Sequence, residues 1–278
     1  MEGHGRLEDD LDPRVKGTLD YHLRAYPNSR WASWRSNGQW VARDGVHVVG
    51  NVPASSWPAV RPLTPGLHGA HNNAFGPELG IGTSLTDHYP FDPVVLVKVA
   101  VGGRSLRHDF RPPSATATTH PDGRESGYLY RAMVDEVRAV LAGVGDSAAL
   151  PSLRGLPPGL EGFFWLQGWN DLSEPAGYGA LLQQLIGDLR SDLGVPELPA
   201  VIGATGNGYD GAREQLVEEQ RTAAEATAHA AFVPTRAYLR GVDDSPNDAL
   251  HHWHDNALTM MEIGEALGQA MLGLLQQG

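Results

Sequence analysis

The chain has 278 residues and 29.9 kDa, room for one generous domain or two small ones, and 21 Lys and Arg against 33 Asp and Glu give it a net charge of −12. Its 41% hydrophobic and 19% charged residues supply enough apolar material for a sizeable core, which excludes wholesale disorder. An acidic chain is a poor partner for nucleic acid, no apolar run is long enough to span a membrane, and the lack of cysteine removes disulfides, zinc ribbons and thiol nucleophiles.

The first 90 residues, rich in Gly, Pro, Trp and His, read as long loops around short strands such as Val46 to Val49. Val94 to Val99 is a nearly continuous β-branched run, as expected of a strand buried on both faces of a parallel sheet. Leu129, Met133, Val137 and Leu141 recur every four residues and predict an amphipathic helix. A strand over Phe163 to Leu166 follows, then a helix carrying Tyr178, Leu181, Leu185, Ile186, Leu189 and Leu193. Ala200 to Gly203 is the next strand, with a helix over Ala212 to His229, a short strand near Phe232, and a terminal helix holding Met260, Ile263, Leu267, Met271 and Leu274 on one side. Alternating strands and helices predict an α/β fold, a parallel sheet covered on both faces in a three-layer α/β/α sandwich. The linkers Leu150 to Gly159 and Gly194 to Pro199 are too short to separate independent domains, so one domain over residues 1–278 is expected.

Ligands of such sheets bind at the carboxyl ends of the strands. After the Val94 strand come Gly102, Gly103, Arg104, Ser105 and Arg107. Paired glycines there allow a sharp turn that exposes an N–H to a ligand oxygen, or make nothing more than a turn. The arginines suit an anionic or polyhydroxyl ligand, or surface ion pairs. After the Phe163 strand come Gln167, Gly168, Trp169, Asn170 and Asp171. Asn170 can aim an N–H at developing negative charge while Asp171 fixes the loop by accepting backbone hydrogen bonds; an Asx turn is the plainer alternative. Before the last helix stands the run Asp248 to Asn256, with His251, His252 and His254 in it. A histidine here suits a general base whose tautomer is held by an upstream Asp. The same cluster could bind a metal, but consecutive histidines in an extended loop point apart and lack helical H-x-x-x-H spacing.

Together these segments resemble the sialate O-acetylesterase-like carbohydrate esterases of the SGNH-hydrolase superfamily. The resemblance runs along the chain: Met1-Glu2-Gly3, Gly76-Pro77-Glu78-Leu79-Gly80, Lys98 to Leu106, Asp109 to Ser114, Trp165 to Asp171, His251 to Asn256, and Ile263 to Gly268. It implies a flavodoxin-like parallel sheet and a carbohydrate O-acetylesterase that works through a Ser-His-Asp acyl-enzyme on acetylated sugars, without a cofactor. Gly103 then matches the backbone oxyanion donor and Asn170 the side-chain donor, with Arg104, Gln167 and Asp171 at the substrate. The base falls among His251, His252 and His254. Its distance to Ile263-Gly264 favours His252, whereas Asp248 stands three residues before His251 in the superfamily's Asp-x-x-His spacing.

The family's nucleophile block reads Gly-Gln-Ser-Asn-Met-Glu-Gly. Aligned with Met1-Glu2-Gly3, it places the serine two residues before Met1, together with the strand that carries it. The expectation is a chain that lacks its first strand and nucleophile and is inactive alone; Ser105, beside the oxyanion turn, is a weak substitute. The rival expectations are a non-catalytic glycan-binding module, and a metal-dependent hydrolase using the His251–His254 cluster.

Overall fold

In a computed structural model, residues 2–9, 11–50, 60–66, 69–143, 153, 155–205 and 211–277 are described; Met1 and part of the linker expected over Leu150 to Gly159 lie outside them. The chain forms two compact units, one from residues 2–50, 60–102 and 235–269 and the other from 103–234 and 270–277.

The first unit holds strands β1 (Gly5–Arg6), β2 (Arg35–Ser36), β3 (Gln39–Trp40), β4 (Val46–Gly50), β5 (Arg61–Pro62), β6 (Ala74–Phe75) and β7 (Val94–Lys98), with helices α1 (Leu19–Ala25) and α2 (Glu78–His88). β4 pairs in parallel with β7, Val46 opposite Val94 through Gly50 opposite Lys98, and antiparallel with β5. Val46, Val48 and Val49 are fully buried, as a two-sided strand requires. β7 departs from expectation: all five of its residues are half-buried, and β4 is its sole strand partner among the described residues.

The second unit contains α3 (Tyr128–Gly143), β8 (Phe163–Trp165), α4 (Tyr178–Leu193), β9 (Ala200–Gly203), α5 (Gly211–Ala226) and β10 (Ala230–Val233). The wholly buried β9 lies between β8 and β10, parallel to both. α4 ends on Gly194 at φ +69°, where the left-handed conformation lets the Gly194 N–H cap the carbonyls of Arg190 and Ser191. α5 ends at Ala226, three residues before the expected His229, which itself turns at φ +50° to enter β10. Parallel pairing, β-branched strands and intervening helices bear out the α/β class. Among the described residues the strands form two three-stranded sheets, one in each unit, and two two-stranded ribbons, β1 with β6 and β2 with β3.

The sequence reading assigned no helix to α2, and the packing explains why. Residues 78–86 are all buried, so no polar face marks a period. α2 lies against the helix α6 (Ala257–Leu275), whose residues up to Gln269 belong to the same unit. A methyl group at Gly80 would collide with the Met261 carbonyl and stand 2.6 Å from the Glu265 nitrogen; one at Gly264 would stand 2.9 Å from Gly80 Cα. The two glycines let the helix backbones touch.

Intrinsic helix propensity alone would make Gly80→Ala stabilising by about 1 kcal/mol. The obstacle is backbone, which cannot rotate away as a side chain can, so the expected result is a net loss of about 1–3 kcal/mol. Urea unfolding of the variant checks the sign.

Candidate functional site

The expected site residues divide between the units. Asp248, His251, His252 and His254 lie in the first; Gly103, Arg104, Gln167, Asn170 and Asp171 lie in the second.

In the second unit, Gly103 turns at φ +71° with open space where a Cβ would stand. The chain beyond it is tied to the loop after β8 by one carboxylate. Asp171 is buried and accepts hydrogen bonds from the backbone N–H groups of Leu106 (2.9 Å) and Arg107 (3.0 Å) and from Gln167 Nε2 (2.8 Å). Burial pushes its pKa up, and these donors pull it back. Gln167 also donates to the Arg104 carbonyl (2.9 Å), and its own carbonyl accepts from Tyr178 Oη (2.7 Å) and Gln220 Nε2 (2.8 Å). Arg104, Gln167 and Asp171 are therefore brought together, with Gln167 and Asp171 engaged in holding the loops. Asn170 sits exposed on the short 3₁₀ turn Trp169–Asp171.

Ser105 is buried; its Oγ donates to Asp109 Oδ2 (3.1 Å), whose other oxygen lies 3.2 Å from His120 Nε2 and 3.6 Å from Arg104 Nη1. The serine thus meets a carboxylate where a nucleophile needs an imidazole.

In the first unit, the segment Leu250–Asp255 is a 3₁₀ turn whose last three residues, Trp253, His254 and Asp255, have φ of 52°, 58° and 55°. Three successive non-glycine residues in the left-handed region persist only where their surroundings fix them. Here Trp253 is fully buried, the N–H groups of His252 and His254 both donate to the Ala249 carbonyl (2.9 and 3.0 Å), and Ala257 N–H donates to the Gly17 carbonyl (2.7 Å). His251 is exposed, with its ring 3.9 Å from that of His252; His254 is buried. His252 is half-buried and stacks on His4, ring centroids 3.4 Å apart and 12° from parallel. Burial, then the neighbouring His4 and His251, push its pKa down to about 4.

Asp248, expected to orient the base, is exposed, and no ion pair joins it to a histidine among the described residues. Asp255 stands in that place. It is buried, with Oδ1 3.8 Å from Nδ1 of both His252 and His4, while Oδ2 accepts from Asn247 Nδ2 at 2.5 Å and lies 3.7 Å from Arg6 Nη2. Sequence reasoning missed His4 and Asp255. His4 comes from the far end of the chain, and Asp255 turns back onto His252 only through the left-handed run.

Three of the sequence blocks meet in one largely buried ion pair. Lys98 Nζ lies 3.0 Å from Glu78 Oε2 and donates to the Glu2 carbonyl (2.7 Å), while Glu78 Oε1 accepts from Gly76 N–H (2.8 Å). Gly3, at φ +98°, leaves no room for a Cβ against Gly76.

The SASA family, described as carbohydrate esterase, sialic acid-specific acetylesterase, matches residues 1–273. The chain belongs to this family. Solved structures share its fold, among them the following two. One is a protein from Arabidopsis thaliana, 17% identical, TM-score 0.59, covering 85% of this chain and 88% of that one. The other is a carbohydrate acetylesterase from Xanthomonas citri, 16% identical, TM-score 0.59, with 85% of this chain covered and 51% of that one. The chain thus spans about half the length of the Xanthomonas protein. A search of curated proteins finds no match. The family bears out the reading of a carboxylic ester hydrolase with an SGNH-type α/β fold, acting on acetylated carbohydrate. Among the described residues no helix is long and apolar enough to cross a membrane.

Two outcomes follow from the first unit's geometry. Lys98→Met removes the partner of a buried carboxylate and is expected to cost about 3–5 kcal/mol in denaturant unfolding, part of it recovered in the double variant with Glu78→Gln. His252 titrates near pH 4 when folded and near its ordinary 6.5 when unfolded, so the unfolded chain binds more protons between those values. Its contribution to stability is complete above pH 6.5 and is lost as the pH falls toward 4. His252→Gln should flatten the melting temperature against pH in that window.

Proposed function

We propose that this esterase removes acetyl groups from sugars through a Ser-His-Asp acyl-enzyme mechanism, with His252 as the general base. The observation that carries this reading is the environment of His252. Its ring is partly shielded and held by stacking, it is neutral at physiological pH, and a buried carboxylate faces its Nδ1. A neutral imidazole can take the proton of a hydroxyl nucleophile, and the carboxylate stabilises the imidazolium that results. At 3.8 Å the Asp255 contact is longer than a hydrogen bond, as catalytic contacts often are before substrate closes them. Asp255 takes the orienting role that the Asp-x-x-His spacing gave to Asp248, and His252 takes precedence over the exposed His251 and over His254. Gly103 N–H and the Asn170 side chain are the oxyanion donors, and Arg104 contacts the sugar. The two units serve as one esterase domain.

The nucleophile in this reading is the serine of the family's Gly-Gln-Ser-Asn block. Serine nucleophile loss in another hydrolase lowers turnover about 10⁶-fold. Residues 1–278 contain no Gly-Gln-Ser-Asn sequence and should therefore hydrolyse 4-nitrophenyl acetate hardly above background, whereas a chain extended by that block should be active. In the extended chain, His252→Ala should abolish activity and Asn170→Ala should lower kcat about 10²- to 10³-fold. Strong activity from residues 1–278 that a serine-directed inhibitor blocks would transfer the nucleophile to an internal serine. An inactive extended chain that still binds acetylated glycans would make the protein a binding module.

A further inference from the structure

We infer that His4, His252 and Asp255 form a binding site for one divalent d-block cation, of which Zn²⁺ is the representative. One ligand atom from each residue lies within 4.8 Å of the other two. Around a tetrahedral ion with ligands at 2.0–2.1 Å, neighbouring ligand atoms are about 3.3 Å apart. The two histidine Nδ1 atoms already stand 3.8 Å from Asp255 Oδ1, so closure on an ion needs movements of roughly half an ångström.

The carboxylate supplies an independent indication. Its side chain is 9% exposed, and its two oxygens are treated differently. Oδ2 is held by Asn247 Nδ2 and Arg6, whereas Oδ1 is buried without a hydrogen-bond partner among the described residues and is the oxygen nearest both imidazoles. A buried acceptor left unsatisfied is costly, and an ion bound there would satisfy it. Clamping one carboxylate oxygen while presenting the other is how outer-shell contacts orient a metal ligand.

The objection that consecutive histidines point apart is met by the fold. The second imidazole comes from His4, immediately before β1, and not from the loop that carries His252. Two imidazoles and one carboxylate suit Zn²⁺, Co²⁺ or Ni²⁺, whereas Mg²⁺ and Ca²⁺ require more oxygen ligands. Three protein ligands leave the fourth position of a tetrahedral ion for water. His4 and His252 side chains are 21% and 32% exposed, so the ion has a path in. The inference concerns binding and stands apart from the esterase reading. Where both hold, an ion on His252 Nδ1 leaves the ring proton on Nε2, the nitrogen whose lone pair the base needs, so Zn²⁺ inhibits.

The test is calorimetric titration of chelator-treated chain with Zn²⁺ at pH 7.5, with Co²⁺ in place of Zn²⁺ to report a four-coordinate site by its visible absorption. One equivalent should bind, Mg²⁺ should not compete, and His4→Ala, His252→Ala and Asp255→Asn should each weaken binding by at least about 10²-fold, the upper end of what an outer-shell loss costs. His88→Ala, at the end of α2, should bind as the parent does. His4 precedes the first strand and its loss opens no core, so His4→Ala reads the site even if changes in the left-handed run disturb folding. No saturable Zn²⁺ binding, or binding that His4→Ala leaves unchanged, overturns the inference whatever the esterase assay shows.

Discussion

A charge taken out of water needs partners, and each unit of this esterase has one whose partners hold several chain segments together. In the first unit it is Lys98 against Glu78, one of only two lysines in the chain. The pair stabilises less than its geometry suggests, because both ions give up hydration to form it. What it supplies is position. The ammonium reaches the Glu2 carbonyl while the carboxylate holds Gly76 N–H, so the start of the chain, the entry to α2 and the end of β7 share one location. In the second unit Asp171 does the same for two loops, accepting from the backbone after Gly103 and from Gln167. Both networks lie at strand ends, where α/β enzymes place their chemistry.

Much of this was legible in the sequence because it follows from periodicity. β4, β7, β9, α3, α4 and α6 fall where their apolar residues recur at the spacing of a strand or a helix. α2 was not legible, because a helix buried all round has no contrast between faces. Its Glu-Leu-Gly-Ile-Gly run over residues 78–82 reads locally as a helix breaker, and only the approach of α6 makes Gly80 favourable. The loop-fixing role of Asp171 was legible, since an Asp after a strand and beside an Asn has few other uses. The partners of His252 were not: they depend on a contact across some two hundred and fifty positions and on a backbone conformation that no residue type in Trp253-His254-Asp255 announces.

The family match and the site geometry carry different weight. Membership rests on residues 1–273 as a whole and gives the reaction class. The geometry bears on which atoms lie together, and the carboxylate beside His252 is Asp255, whereas spacing pointed to Asp248. Spacing rules presume a particular loop conformation. The left-handed run replaces that conformation with one in which the residue three positions after the imidazole folds back beneath it.

The glycine contact between α2 and α6 bears on how the histidine turn can move. α6 starts at Ala257, directly after the turn, and its backbone touches that of α2 at Gly80 and Gly264 with no side chain between to deform. The downstream end of the turn is thus a fixed anchor. On the upstream side Gly241 to Asp244 and Asp248 are exposed to solvent, and side chains do the tying: Asn256 Nδ2 reaches back to the Asp244 carbonyl and Ser245 Oγ, and Asn247 Nδ2 reaches forward to Asp255. The turn is thus clamped by backbone at the helix and by single side-chain bonds at its entry.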